Sequence, residues 1–270
     1  MDPILILKTG ALGDVLRTTS ILEGLKRRYP DAAIHWVTAH AARDLVDLHP
    51  LVDRVLCVDP GSDAELRELG DGLARATFSR VLSFDDEPGM CALASRVEKA
   101  SLSGAFLDAS GERRYTEDVA PWFDMGLLSV HGKEAADRMK VENDRSHPAI
   151  FADMLGIDVG RPELPSPPAA EAFAERFARE RELAAGGIVV GLNTGAGGRW
   201  KTKELSVERT VELVRLLDEH FGGRAAFLVL GGPAEAERNA RILAMATELD
   251  RAPRMVDGGS DNSIAQFAGL

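Results

Sequence analysis

The stretch ILILKTGALGDVLRTTSILEGLKRRYPDAAIHWV, residues 4–37, decides how the rest of the chain is read. Ile4–Leu7 is a short apolar run of the kind a parallel strand shows when both of its faces are buried. Gly10-Ala11-Leu12-Gly13 interrupts it. From Asp14 to Tyr29, Leu16, Ile21, Leu22 and Leu25 fall near helical spacing, until Tyr29-Pro30-Asp31 stops the helix. Ile34–Val37 reads as a second strand. Strand, glycine turn, helix and strand in that order form a βαβ unit, and parallel strands joined this way build a doubly wound sheet.

Working outward, the same rhythm continues. A helical stretch runs to His49-Pro50, and strands Val55–Val58 and Val81–Phe84 flank a charge-rich helical segment. Residues 88–150 read as more helical and more polar, with a brief apolar stretch at Ala105–Leu107. Gly160-Arg161-Pro162-Glu163-Leu164-Pro165-Ser166-Pro167-Pro168 suits an extended connection, because proline removes backbone donors and fixes φ. A helix rich in Ala, Glu and Arg follows to Ala185, and then the rhythm restarts. Strand Ile188–Leu192, a glycine-rich loop, helix Ser206–His220, strand Ala226–Leu230, helix Ala234–Leu249 and strand Arg254–Val256 succeed one another, and Asn262–Leu270 opens a last helix. The expected architecture is α/β, with two Rossmann-like doubly wound halves. Residues 1–160 form the first, 161–185 a proline-rich linker and connecting helix, and 186–270 the second. That second half reads as truncated at its C-terminus, with three strands where such a domain usually has five or six.

Composition narrows the function. Lys plus Arg total 32 against 43 Asp plus Glu, a formal net charge of −11. A surface that acidic repels a phosphate backbone, so a nucleic-acid partner is not expected. Apolar runs stop well short of the roughly 18–20 residues that cross a bilayer, and the start has neither a basic n-region nor a long apolar segment. Cys57 and Cys91 form no CxxC and lie near no histidine cluster, which argues against a zinc site or disulfide scaffold. A cytoplasmic location is the expectation.

Three stretches can carry chemistry. Lys8-Thr9-Gly10-Ala11-Leu12-Gly13-Asp14 follows the first strand and opens the first helix. Its glycines let a ligand approach the backbone, and the helix start offers N–H groups and a positive dipole. It is neither a Walker A loop nor a GxGxxG fingerprint, so a nicotinamide-dependent oxidoreductase is disfavoured. Asp14 has two readings here, a helix N-cap or a carboxylate able to take a proton from a substrate hydroxyl. The second stretch, Gly191 to Lys203, joins Thr194, Gly195, Ala196, Gly197 and Gly198 with Arg199, Lys201 and Lys203. Backbone donors and cations together suit a diphosphate. The third, Leu230-Gly231-Gly232-Pro233-Ala234-Glu235, suits a ribose or base contact, although a plain turn explains it as well. Asp85-Asp86-Glu87 reads as acids at a helix start, since three adjacent acids cannot face one metal ion. The six histidines show no HExxH pattern and read as structural or surface. Arg113 and Arg114, over Ser110–Thr116, read either as a solvated loop or as acceptor-binding residues for an anionic acceptor.

With these loops in place, the chain resembles glycosyltransferase family 9, the heptosyltransferases of lipopolysaccharide core assembly. The stretch ILILKTGALGDVLRTTSILEGLKRRYPDAAIHWVT resembles that family's opening. VVGLNTGAGGRWKTKELSVERTVELVRLL followed by FLVLGGPAEAERNARIL resembles its donor half. The resemblance implies a GT-B fold, two Rossmann-like domains facing a cleft. It also implies an inverting, metal-independent transfer with no cofactor beyond a nucleotide-sugar donor, ADP-heptose. Matched by position, Asp14 is the general base, and Thr194, Gly195, Ala196 and Gly197 are phosphate-loop contacts. Lys203 or Lys201 is the phosphate lysine, and Glu235 the acid that contacts the nucleoside. Gly10, Ala11, Leu12 and Gly13 then face the acceptor, a lipid-linked core oligosaccharide whose use implies peripheral inner-membrane contact. An Asp-Thr-Gly-x-x-His type motif of the family is missing from this sequence. The alternative is therefore a nucleotide-sugar or glycan-binding module of the same fold without catalysis.

Overall fold

The computed structural model describes residues 2–183, 187–195 and 203–270. They fall into two compact units, Met1–Pro165 and Ser166–Leu270.

The first unit opens with β1 (Ile4–Leu7), α1 (Leu12–Thr18), α2 (Leu22–Arg28), β2 (Ile34–Thr38) and β3 (Arg54–Cys57). It continues through α3 (Asp63–Leu73), β4 (Arg80–Ser83), α4 (Pro88–Arg96), β5 (Leu102–Leu107) and β6 (Arg113–Tyr115). Helices α5 (Ala120–Phe123), α6 (Lys133–Glu142) and α7 (His147–Leu155) follow. The sheet order is β3-β2-β1-β4-β5-β6, parallel except for β6, which pairs antiparallel with β5. All four residues of β1 are buried, as its place in the middle of the sheet requires. Leu5, Leu7, Val37 and Val81 form one packed face with Leu66 and Leu73 of α3 and Met90 and Leu93 of α4.

Local chemistry explains where the structure departs from the sequence reading. The expected helix from Asp14 to Tyr29 is two helices joined by a 3₁₀ turn over Thr19–Ile21. The Thr18 hydroxyl donates to Asp14 O and the Thr19 hydroxyl to Leu16 O, each at 2.7 Å. Such back-bonding bends a helix. Residues 88–150 hold two strands that the polar reading passed over. In β5, Gly104 has φ +130°, and a Cβ on it would lie 1.9 Å from Ser83 O. Only glycine lets β5 come this close to β4, and that glycine also breaks the apolar run that marks a strand. Arg113 and Arg114 lie on β6 rather than in an open loop. A tight turn builds the hairpin: Asp108 Oδ1 accepts from the Ser110 and Glu112 amides and the Ser110 hydroxyl. These bonds and Arg114, led by the Ser110 hydroxyl, hold the Asp108 carboxyl down at about 2.

The proline-rich segment divides between the two units. Glu163 N donates to Thr19 Oγ1 at 2.9 Å, and a Cβ on Gly160 would meet Ser20 O at 2.2 Å, so residues up to Pro165 lie against the first unit. In the second unit, α8 (Pro168–Glu180) is followed by β7 (Ile188–Asn193), α9 (Val207–His220), β8 (Ala225–Leu230), α10 (Ala236–Ala246), β9 (Arg254–Asp257) and α11 (Ile264–Gly269). The strands form a parallel sheet in the order β7-β8-β9. Phe227 and Val229 of the buried central strand pack with Leu192 and Val214, while Ala226 and Leu228 pack with Val256 on the opposite face.

Candidate functional site

In the first unit the chain runs outward from β1 through β2 to β3, then returns to β4 on the other side of β1. The carboxyl ends of β1 and β4 are therefore a topological switch point, where open α/β sheets bind ligands. The loop after β1 is tied down there. Lys8 Nζ lies 2.5 Å from Asp85 Oδ1 and 3.4 Å from Phe84 O. Asp85 Oδ2 accepts from the Thr9 amide at 2.5 Å and the Thr9 hydroxyl at 2.7 Å. The Trp36 indole donates to Lys8 O at 3.2 Å. Lys8, Thr9 and Asp85 are all buried. Asp85 thus does not act as a helix-start acid, and Lys8 spends its charge inside the protein. The neighbouring Glu87 carboxyl is pushed up, first by burial and then by the Asp85 charge.

Beyond this tie the loop is bare. A Cβ on Gly10, or on Gly13 in the first turn of α1, would meet no neighbouring atom within 4 Å. Asp14 lies inside the first turn of α1, with Ala11 at the N-cap position, so the N-cap reading of Asp14 fails. Its carboxylate pairs with the Arg17 guanidinium and keeps 33% of the side chain exposed. Packing of α7 against α1 brings His147 into the fields of Arg17, Asp14 and Lys8. The His147 ring stacks on Phe151 with centroids 3.9 Å apart and meets Trp122 edge-on at 4.9 Å. Both ring nitrogens are buried without a hydrogen-bond partner. Burial, with Arg17 next, lowers its pKa to about 4. It is neutral at pH 7.

Of the two arginines expected near an acceptor, Arg113 donates to Asp86 O at 2.7 Å, at the edge of the switch point. Arg114, on the other face of the strand, pairs with Asp108 at 3.1 Å and stays with the hairpin. Cys91 is buried near Asp85, its thiol pushed up to about 12 by desolvation, which makes it inert.

In the second unit the carboxyl ends of β7 and β8 bring Thr194, Gly195 and Glu235 together. The Thr194 hydroxyl donates to Asn239 Oδ1, and its oxygen lies 3.3 Å from Leu230 O. Glu235 folds over Gly195, where a Cβ would lie 2.3 Å from Glu235 Oε1, and its Oε2 accepts from Gly232 N at 2.9 Å. A cavity of about 290 Å³ beside the end of β7 is lined by Asn193, Thr194, Lys203, Glu204, Thr210 and Leu213. Ala196, Gly197 and Lys201 lie outside the described residues. Arg238 of α10, which the sequence reading passed over, lies 3.5 Å from Glu204. Among the described residues no group of three His, Cys, Asp or Glu is placed to hold a metal ion, and no helix is long and apolar enough to cross a membrane.

Solved structures resemble this arrangement over 99% of the chain. A glycosyl transferase family 9 protein from Veillonella parvula superposes with a TM-score of 0.72 at 18% identity, over 72% of its own length. The E. coli ADP-heptose lipopolysaccharide heptosyltransferase II gives 0.63 at 16%, over 76% of its length. An E. coli heptosyltransferase with ADP gives 0.60 at 19%, over 77% of its length. The fold is that of glycosyltransferase family 9. No family model and no curated protein matches the sequence. Within the family 9 fold, Asp14 stands at the switch point of the first unit, and Thr194, Glu235 and the Lys203 cavity stand at the matching strand ends of the second.

Arg17, His147, Arg238 and Asn239 are residues at these strand ends that sequence reasoning missed, and Asp85 is one that it read as a helix-start acid. Only Asp85 had a signal, an acidic run directly after a strand that ends beside the Lys8 loop.

Proposed function

We propose that this chain is an inverting, metal-independent glycosyltransferase that moves a heptose or related sugar from an ADP-sugar to a lipopolysaccharide core acceptor. The observation that carries this reading is Asp14. It is a part-exposed carboxylate at the switch point, next to a loop whose glycines leave room for a ligand. The acceptor oxygen attacks the anomeric carbon as the bond from that carbon to the diphosphate oxygen breaks. Asp14 takes the hydroxyl proton, and the diphosphate departs with the electron pair of the broken bond. The second unit supports the donor half: Thr194 and Lys203 border one cavity beside the end of β7, and a lysine there offsets charge building on the leaving diphosphate. The solved relative with ADP favours adenine over other bases. We place the work in the cytoplasm, with peripheral contact to the inner membrane through the acceptor lipid.

A thermal-shift titration with ADP, UDP and GDP tests the donor. The expected result is a saturable rise in melting temperature with ADP at lower concentration than with the other two. No shift with any of them removes the donor assignment. Nucleotide binding without transfer to core acceptors would instead favour a binding module.

A further inference from the structure

We infer that Asp85 is a positioning residue: its carboxylate, by gripping Lys8 and Thr9 at once, sets the path of the loop that delivers Asp14. The inference deepens the transferase reading and rests on it for its kinetic half. Asp85 follows β4 and its two partners follow β1, so the grip spans the two strands that border the switch point. The two oxygens are divided. Oδ1 takes the Lys8 ammonium, and Oδ2 takes both the amide and the hydroxyl of Thr9. All three donors need an oxygen, and an amide side chain offers only one. Asparagine would turn an NH₂ group towards either Lys8 or Thr9.

A buried carboxylate costs folding free energy even when paired, and two apolar residues would fill this space at no greater cost. What the ion pair adds is direction. Thr9 is held from its amide and its side chain together, so the chain leaves β1 on one course. Between Thr9 and α1 no side chain fixes the loop: Gly10 has none, and nothing stands within 4 Å of where its Cβ would be, nor of where one on Gly13 in the first turn of α1 would be. Asp14 is five residues along, on a helix whose first turn begins where this loop ends. The last long-range side-chain tie before the proposed base is therefore the Thr9–Asp85 bond pair. A displacement of about 1 Å at a reacting group can lower a rate by about 10²-fold.

The test compares Asp85→Asn, Thr9→Val and Thr9→Ser in the full chain. Thr9→Val removes the hydroxyl bond with little change of shape, and Thr9→Ser restores it. Two readouts are taken: amide hydrogen exchange over residues 9–14, and kcat with both KM values for sugar transfer. The expected result is faster exchange confined to that loop in Asp85→Asn and Thr9→Val, with kcat lowered about 10- to 100-fold. ADP affinity stays unchanged and Thr9→Ser stays near the parent. If Asp85→Asn fails to fold, Thr9→Val against Thr9→Ser decides alone. Unchanged loop exchange overturns the inference, and so does an unchanged kcat per folded molecule. A parent protein that transfers no sugar overturns the transferase reading instead, and the exchange experiment then still decides whether Asp85 holds the loop.

Discussion

Replacing His147 with phenylalanine should remove a specific part of the acid sensitivity of this protein. The imidazole is buried against Phe151 and Trp122, both nitrogens lack partners, and Arg17 lies close enough to repel a proton. Its pKa in the folded chain is about 4, against 6.5 for the unperturbed group. A lowered value in the fold means that the unfolded chain binds the extra proton first, so stability falls as pH drops from about 6.5 towards 4. Carried through from 6.5 to about 4, that difference corresponds to about 3 kcal/mol. By the same linkage, about 1 kcal/mol is lost between pH 7 and 5.5, and about 2.4 kcal/mol between pH 7 and 4.5. Phenylalanine keeps the ring stack and cannot take up a proton. Urea unfolding followed by tryptophan fluorescence at pH 7, 5.5 and 4.5 should show the parent losing about 2.4 kcal/mol more than His147→Phe across that range. Ring-proton titration, with His147 identified by its absence from the variant, supplies the midpoint directly. A midpoint at 6.5 or above, or parallel losses in the two proteins, would refute the burial argument.

Other expectations follow from the same geometry. Asp14→Asn should lower kcat by about 10²- to 10⁴-fold in a transfer assay while ADP binding by calorimetry stays the same. Full activity in that variant removes Asp14 as the base. Lys203→Ala should weaken ADP binding as well as rate, and unchanged affinity would assign the phosphate contact elsewhere. Lys8→Met leaves the buried Asp85 carboxylate without its cation and should cost about 3–5 kcal/mol, read as a lower urea midpoint. A loss under 1 kcal/mol would mean that Asp85 is not held by Lys8 in solution. Gly104→Ala should give little folded protein on expression, because its Cβ would collide with Ser83 O. A stable, soluble product would contradict the close pairing of β4 and β5.

The sequence alone determined the two-unit α/β plan, because buried parallel strands such as Ile4–Leu7 and Ala226–Leu230 are written as continuous apolar runs. It also located the two glycine loops, since a turn between strand and helix needs small residues within a few positions of each other. Those signals are local. The strand around Gly104 was not legible, because the glycine that β4 demands breaks the pattern that would reveal it. Asp14 could be read as a cap or a base, and only the start of α1 at Leu12 decided against the cap. Asp85 lies 77 positions from Lys8, so no window of sequence shows that the two charges cancel. His147 looks like any other histidine until α7 lays it on aromatic rings beside Arg17. The patterns of secondary structure are set by neighbours along the chain. The charge state and aim of a side chain are set by neighbours in space, and only folding supplies those.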